Sequence, residues 1–298
     1  MTDRSGDVRR LLAAHLPGRR AGSVSPLGEG EDHVAYEVDG ELIVRFGKGS
    51  GAEGPARGAE EEARLLRAVA GLSPLPVPEP CFTAAQEDCL AYRRLPGVPL
   101  IDLSPWERPG RNGRIGAVLG ALLRALHAAR PETVAGLVGT DEQPRDLWLR
   151  EAAEARAAVG DRVPGPHRAA VAEFLGAPPP TVRRAPVFSH NDLGIEHVLV
   201  DPATEAVTGI IDWSDAAFTD PGYDFGLLYR DLGPCALEAA LDAYRAEGRD
   251  RRELRTLAVF YARCTALTDM AYGLDAGRAA YLAKGLAALR WLFPGRLP

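Results

Sequence analysis

Apolar and polar residues alternate with a strand period through much of the first third of the chain, and recur at helical spacing through most of the rest. Ser5–Leu16 reads as a helix stopped by Pro17-Gly18. Three strands are expected at Ser23–Leu27, His33–Val38 and Glu41–Phe46, the last two joined by Asp39-Gly40. Asp-Gly between two such runs marks a tight hairpin, because the turn needs positive φ and glycine supplies it without strain. Residues 48–58, rich in glycine and small side chains, read as a mobile loop. Ala59–Ala70 reads as a helix with three glutamates in its first turns, where acids suit the positive helix end. The proline-rich stretch 73–80 must be extended. Two more strands, Cys81–Ala85 and Leu90–Arg94, precede the breaker Leu95-Pro96-Gly97.

Beyond that point helices dominate. Asn112–Ala129 places Ile115, Leu119, Leu122, Leu123 and Leu126 at helical spacing. Asp146–Val159, Leu237–Ala246, Leu254–Met270 and Arg278–Leu292 follow the same pattern, with short strands expected only at Val187–Ser189, Val198–Val200 and Gly209–Ile211. The layout is an α+β fold with a β-rich lobe over residues 1–94, a larger helical lobe over 95–298 and a hinge at 90–97. A cleft between lobes is the usual place for an active site in such a layout.

Composition changes this picture little. The chain has 298 residues, 46% hydrophobic and 26% charged, as expected of a soluble globular protein. A net charge of −6 argues against a nucleic-acid partner. No run approaches the ~20 apolar residues of a membrane helix, and the N-terminus carries no secretory pattern. Four cysteines without a CxxC pair read as free thiols in a reducing cytoplasm. The charge is uneven: residues 201–250 hold eleven acids against three arginines and no lysine, a local balance of −8 that would attract a cationic ligand. Caps, turn residues and a solvated face are the reading the residues alone favour for these acids.

Candidate chemistry is concentrated in Phe188-Ser-His190-Asn-Asp192-Leu-Gly-Ile-Glu-His197, followed by Gly209-Ile-Ile-Asp212-Trp213. Phosphoryl transfer asks for such a set: one carboxylate to take or orient the proton of the attacking hydroxyl, and further groups to hold Mg²⁺ against the phosphates. A hairpin of Val198–Val200 and Gly209–Ile211 would bring His197 and Asp212 to one end.

On these motifs the chain resembles the aminoglycoside phosphotransferase family, a branch of the protein-kinase-like fold, over nearly its whole length. The resemblance implies that Asp192, in the HxD loop, is the catalytic base, and that Asp212, in Ile211-Asp212-Trp213, binds metal. Asp220-Pro221 through Tyr223-Asp224 resembles a DP-x-x-D segment with a structural role. His197 stands where many members have Asn and is similar to the 2″-aminoglycoside and macrolide branch. As a metal ligand it predicts binding that weakens as pH falls. Arg45 matches the third-strand basic residue that contacts nucleotide phosphates, with Lys48 a rival; Glu62 matches its helix partner, with Glu60 and Glu61 as rivals. Gly28 and Gly30 match the nucleotide-positioning loop, and Tyr92 lies in the hinge that reads the base. The implied cofactor is Mg²⁺ with ATP or GTP. The expected acceptor is an aminoglycoside, whose ammonium groups Asp215, Asp220, Asp224, Asp231 and Asp269 could bind, with Trp213 and Tyr272 as stacking surfaces. A macrolide or other hydroxyl kinase is the alternative, and a non-catalytic nucleotide-binding module the third reading.

Overall fold

The computed structural model describes residues 3–30, 33–48, 58–103 and 108–295. The loop expected at 48–58 therefore lies mostly outside the described residues. The chain divides into two compact units. The first is Met1–Pro96 with Arg130–Val138 and Gly209–Ser214; the second is Gly97–Ala129, Gly139–Thr208 and Asp215–Pro298.

The first unit is built on a five-stranded antiparallel sheet of β1 (Val24–Glu29), β2 (His33–Val38), β3 (Leu42–Gly47), β4 (Pro80–Ala84) and β5 (Cys89–Arg93), ordered β1-β2-β3-β5-β4. The β2–β3 hairpin turns at Asp39 and Gly40 with φ of 54° and 71°, so both residues take the left-handed conformation a two-residue hairpin turn demands. The period of two sorts the sheet into faces. Leu42, Val44, Phe46, Cys89 and Ala91 join a core with Val8, Leu11 and Leu12 of α1 (Ser5–His15). Ile43, Arg45, Leu90 and Tyr92 point the other way. Helix α2 (Ala59–Ala70) starts where the Asp88 carboxylate accepts the Ala59 N–H at 2.8 Å.

The second unit is mainly helical. It holds α3 (Pro109–His127), α4 (Arg145–Val159), α5 (Gly165–Leu175), α6 (Gly222–Leu232), α7 (Pro234–Tyr244), α8 (Gly248–Asp275) and α9 (Ala279–Leu292). Two small sheets interrupt them: β7 (Val187–Ser189) pairs antiparallel with β10 (Ala217–Thr219), and β6 (Val98–Pro99) and β8 (Val198–Val200) lie in a sheet ordered β6-β8-β9, with β9 at Val207–Ile210. Strand β9 begins in the second unit and passes into the first at Gly209.

Two helices depart from the expectation. Helix α6 is not visible in the apolar period because Pro221, Gly222 and Gly226 read as breakers. The structure gives those glycines a packing reason: a Cβ at Gly222 would lie 2.3 Å from Leu257 Cβ, and one at Gly226 2.8 Å from Tyr261 Cβ. Backbone-to-helix contact with α8 requires the missing side chains. Helix α5, opening on Gly165-Pro166 and burying Val171 alone, carries too little apolar period to be read. Among the described residues no helix is long and apolar enough to cross a membrane.

Candidate active site

In the second unit the chain leaves β7 at Ser189 and enters a loop, residues 190–197, that feeds β8. Leu193 and Ile195 anchor it in the core at 1% and 2% exposure. Asn191 takes φ of 64°, uncommon for a residue with a side chain. Two carboxylates of α6 hold the backbone. Asp224 accepts the N–H groups of Asn191 at 3.2 Å and Leu193 at 3.3 Å, and that of His190 as well. Asp231 accepts the Ile195 N–H at 3.1 Å. Burial pushes Asp224 up to about 6, against the pull of those N–H groups.

Asp192 projects from this clamped loop with 38% of its side chain exposed. Surrounding protein raises its carboxyl to about 7; His197 pulls it down, Glu196 and Asp215 push it up, and Arg230 pulls it down. Its open surface softens the effect. A carboxylate raised toward neutrality is a competent proton acceptor at physiological pH. His197 Nδ1 lies 2.8 Å from the Asp192 carbonyl oxygen and 3.3 Å from Asp192 Oδ2. Donation to that carbonyl puts the proton on Nδ1 and the lone pair on Nε2, the tautomer a metal ligand needs.

Behind the loop, Tyr223 feels the charge of Asp192 and packs with Trp148 and Tyr261, centroids 5.1–5.8 Å apart, edge-to-face at Tyr261 and tilted between Trp148 and Tyr223. These rings line a cavity of about 640 Å³ whose rim includes Asp141, Glu142, Asp146 and Arg183. Asp141 accepts a hydrogen bond from Asn191 Nδ2 at 3.1 Å, connecting the rim to the residue before Asp192. Sequence reasoning missed this cavity, because α4 and the segment after α5 meet α6 and α8 only in three dimensions.

In the first unit Arg45 is the centre of a polar cluster. Its guanidinium donates to Glu62 Oε1 at 2.8 Å and to His33 Nδ1 at 2.8 Å, hydrogen-bonds the Tyr92 phenol and lies 4.0 Å from Asp212 Oδ1. Glu62 is buried, whereas its rivals Glu60 and Glu61 are exposed. Lys48 turns instead to Glu29 at 2.7 Å and to the Gly30 carbonyl at 2.7 Å. Gly28 lies within β1 and Gly30 just past its end, where its N–H donates to the His33 carbonyl at 3.0 Å. Asp212 follows β9 with φ of 61°, is 40% exposed and accepts a hydrogen bond from Ser214 Oγ at 2.8 Å. His33 is a member of the cluster that its sequence context does not mark.

The acidic candidates for an ammonium-binding surface are mostly engaged internally. Asp220 pairs with Arg145, accepts from Tyr261 OH at 3.0 Å and caps α6 at the Gly222 N–H, 2.9 Å away. Asp269 lies 2.9 Å from Lys284 and 3.1 Å from Arg230. Asp231 pairs with Arg230 at 2.7 Å. Asp215 is exposed. Trp213 is fully buried, its indole N–H donating to the Ile210 carbonyl, and Tyr272 stays 38% exposed against Tyr281. The four cysteines are free.

Among the described residues no cluster of three or more His, Cys, Asp or Glu side chains could hold a metal by itself. The His197 imidazole of the second unit, with its lone pair on Nε2, and the Asp212 carboxylate of the first are each of a type that binds a divalent metal ion.

A sequence profile described as "Phosphotransferase enzyme family" (APH) matches residues 23–257. No curated protein sequence matches the chain. Among solved structures, the GDP and kanamycin complex of APH(2″)-IIIa superposes with a TM-score of 0.70 at 24% identity, over 95% of this chain and 97% of that one. The GDP complex of wild-type aminoglycoside 2′-phosphotransferase-IIIa gives 0.71 at 24% identity, over 97% and 98%. The macrolide 2′-phosphotransferase MphH from Brachybacterium faecium, as apoenzyme, gives 0.60 at 23%, over 98% and 99%. At these identities the likeness is one of fold, and the fold is protein-kinase-like.

Proposed function

We propose, from the premise that the chain belongs to the phosphotransferase enzyme family, that it moves the γ-phosphate of ATP or GTP to a hydroxyl of a small molecule. The observation that carries this reading is the loop at 190–197: a raised, accessible carboxylate at Asp192, held by two buried carboxylates and paired with an imidazole in the metal-binding tautomer. Asp192 accepts the proton of the attacking hydroxyl. His197 and Asp212 are the residues that would hold Mg²⁺, and the ion would supply charge neutralisation for the phosphoryl group in transfer. Arg45, oriented by Glu62, His33 and Tyr92, contacts the phosphates, and Gly28 and Gly30 position the nucleotide.

Asp192 does not line the cavity beside Tyr223, so the acceptor would enter that cavity in part, with its reacting hydroxyl outside it at Asp192. An aminoglycoside is the first candidate: the acids Asp141, Glu142 and Asp146 on the rim suit ammonium groups and the aromatic trio suits a sugar face. A macrolide is the second reading, favoured by the internal pairing of Asp220, Asp231 and Asp269, which removes carboxylates that a polycation would use. The reaction is tested by Asp192→Ala: turnover falls about a thousandfold while nucleotide still binds. Near-native turnover in that variant refutes the assignment. A screen of aminoglycosides, macrolides and amino alcohols with ATP and GTP decides the acceptor.

A further inference from the structure

The loop that carries Asp192 and His197 is anchored at its far end by a buried ionic network that has no part in the reaction proposed above. Three carboxylates, Glu196, Asp231 and Asp269, share two cations, Arg230 and Lys284. Lys284, on α9, is 2% exposed. Its ammonium reaches Glu196 at 2.8 and 3.1 Å, Asp269 at 2.9 Å and Asp231 at 3.4 Å. Arg230 binds Asp231 through two hydrogen bonds, at 2.7 and 2.8 Å. Asp231 in turn accepts the Ile195 N–H, so the network grips the chain at Ile195 by its backbone and at Glu196 by its side chain.

His197 is the next residue. Its N–H closes a turn onto the Gly194 carbonyl at 3.0 Å. The Glu196 side chain folds back across Gly194, where a Cβ would sit 2.6 Å from the Glu196 carboxyl carbon. Glycine at 194 is therefore needed for Glu196 to turn inward to Lys284. The direction of the His197 imidazole depends on that turn, because residues 195 and 196 are fixed from below.

We propose that Lys284 is a positioning residue for His197: by holding the Glu196 carboxylate in the helical core, it fixes the 194–197 turn that aims the imidazole at the metal. The inference rests on the functional reading above, in which His197 is a metal ligand. Without Lys284, three carboxylates share one arginine, and Glu196, 3.9 Å from Arg230 against 2.7 Å for Asp231 and 3.1 Å for Asp269, swings outward and carries the turn with it. Partners that orient a metal ligand from behind are worth about 10- to 100-fold in metal affinity.

The test measures binding of a fluorescent nucleoside diphosphate to the full chain across a Mg²⁺ series and in EDTA, with Mn²⁺ binding followed by electron paramagnetic resonance. Lys284→Met is expected to raise the Mg²⁺ needed for half-saturation about tenfold, weaken Mn²⁺ binding equally and leave binding in EDTA unchanged. Lys284→Arg, which keeps the cation, should return within about threefold of the parent. The double variant Lys284→Met/Glu196→Gln removes one charge of each sign and so keeps the network's balance; it carries the test where the single variant fails to fold. Its metal requirement should stay raised, because residue 196 is still unanchored. Parental metal dependence in the double variant, or an equal shift with and without metal, overturns the proposal alone. Nucleotide binding that ignores Mg²⁺ in the unmutated chain overturns the functional reading and this proposal with it.

Discussion

Each unit buries cations among carboxylates, and the two clusters differ in how completely they are closed. The network around Arg230 and Lys284 is sealed: those two side chains and Asp231 are 1–4% exposed, and each cation spends its donors on carboxylates. The cluster around Arg45 is oriented and largely buried, and it opens only at Asp212. Glu62, His33 and Tyr92 fix the guanidinium from one side, while Asp212, 40% exposed and held at positive φ, lies a further 4.0 Å away. Sealed charge builds the scaffold, and oriented but open charge is what a ligand can use. Charge counted along the sequence cannot make this distinction. Within the acidic stretch 201–250, Asp201 accepts from its own turn, Glu205 pairs with Arg108, Asp220 with Arg145, Asp242 with Arg251 and Asp250 with Arg184. Much of the local −8 is thus internal bookkeeping.

The strongest way to break the comparison is to cut each cluster at its arginine. Arg230→Met leaves Asp231 and Asp269 buried with Lys284 alone, and should cost about 3–5 kcal/mol in urea unfolding. The contrast fails if Arg230→Met unfolds at the parental urea concentration.

Asp192 belongs with the open groups, and its raised carboxyl gives the next effect. It must be ionised to accept a proton, so kcat/KM should fall about tenfold per pH unit below about 7. A rate profile flat from pH 5.5 to 8 contradicts this.

Arg45→Met comes third. It should weaken nucleotide binding about 10-fold, with a stability loss of only about 1 kcal/mol, read by titration and urea unfolding. His33 lies 3.8 Å from Glu62 and can take a proton to replace the missing cation, which is why the open cluster tolerates the cut better. Equal destabilisation by the two arginine variants, with nucleotide affinity unchanged, would erase the distinction between the clusters.

Local structure was legible and long-range closure was not. The β2–β3 turn follows from Asp39-Gly40 alone, and α2 runs over Ala59–Ala70 as its apolar spacing and early glutamates predict. The loop at 190–197 stands out because its polar residues are crowded between apolar strands. Helix α6 was hidden because its glycines serve contact with α8, not flexibility. His33, Glu196 and Lys284 gave no signal, since each acquires meaning from a partner 12 to 88 residues away. The engagement of Asp220 and Asp269 was invisible for the same reason: a carboxylate looks alike in sequence whether it faces solvent or Arg145.

The last contrast separates two sealed carboxylates of one helix. Asp224 and Asp231 both clamp the loop at 190–197, but burial without a cation raises Asp224 to about 6, whereas Asp231 is held at about 2 because Arg230 and Lys284 overcome the cost of burial. The ordinary value for both is 3.8. A raised carboxyl takes up its proton more readily in the folded chain. The contribution of Asp224 is therefore complete below pH 3.8 and is lost as pH rises through about 6. The depressed Asp231 behaves oppositely: its contribution is complete above pH 3.8 and is lost as pH falls through about 2. Urea unfolding of Asp224→Asn and Asp231→Asn between pH 2.5 and 7 reads both. The advantage of the parent over Asp224→Asn should shrink on going from pH 4 to 6, and its advantage over Asp231→Asn should shrink on going from pH 4 to 2.5, each by on the order of 1–2 kcal/mol. Parallel slopes for the two variants would mean that Arg230 and Lys284 do not set the two carboxylates apart.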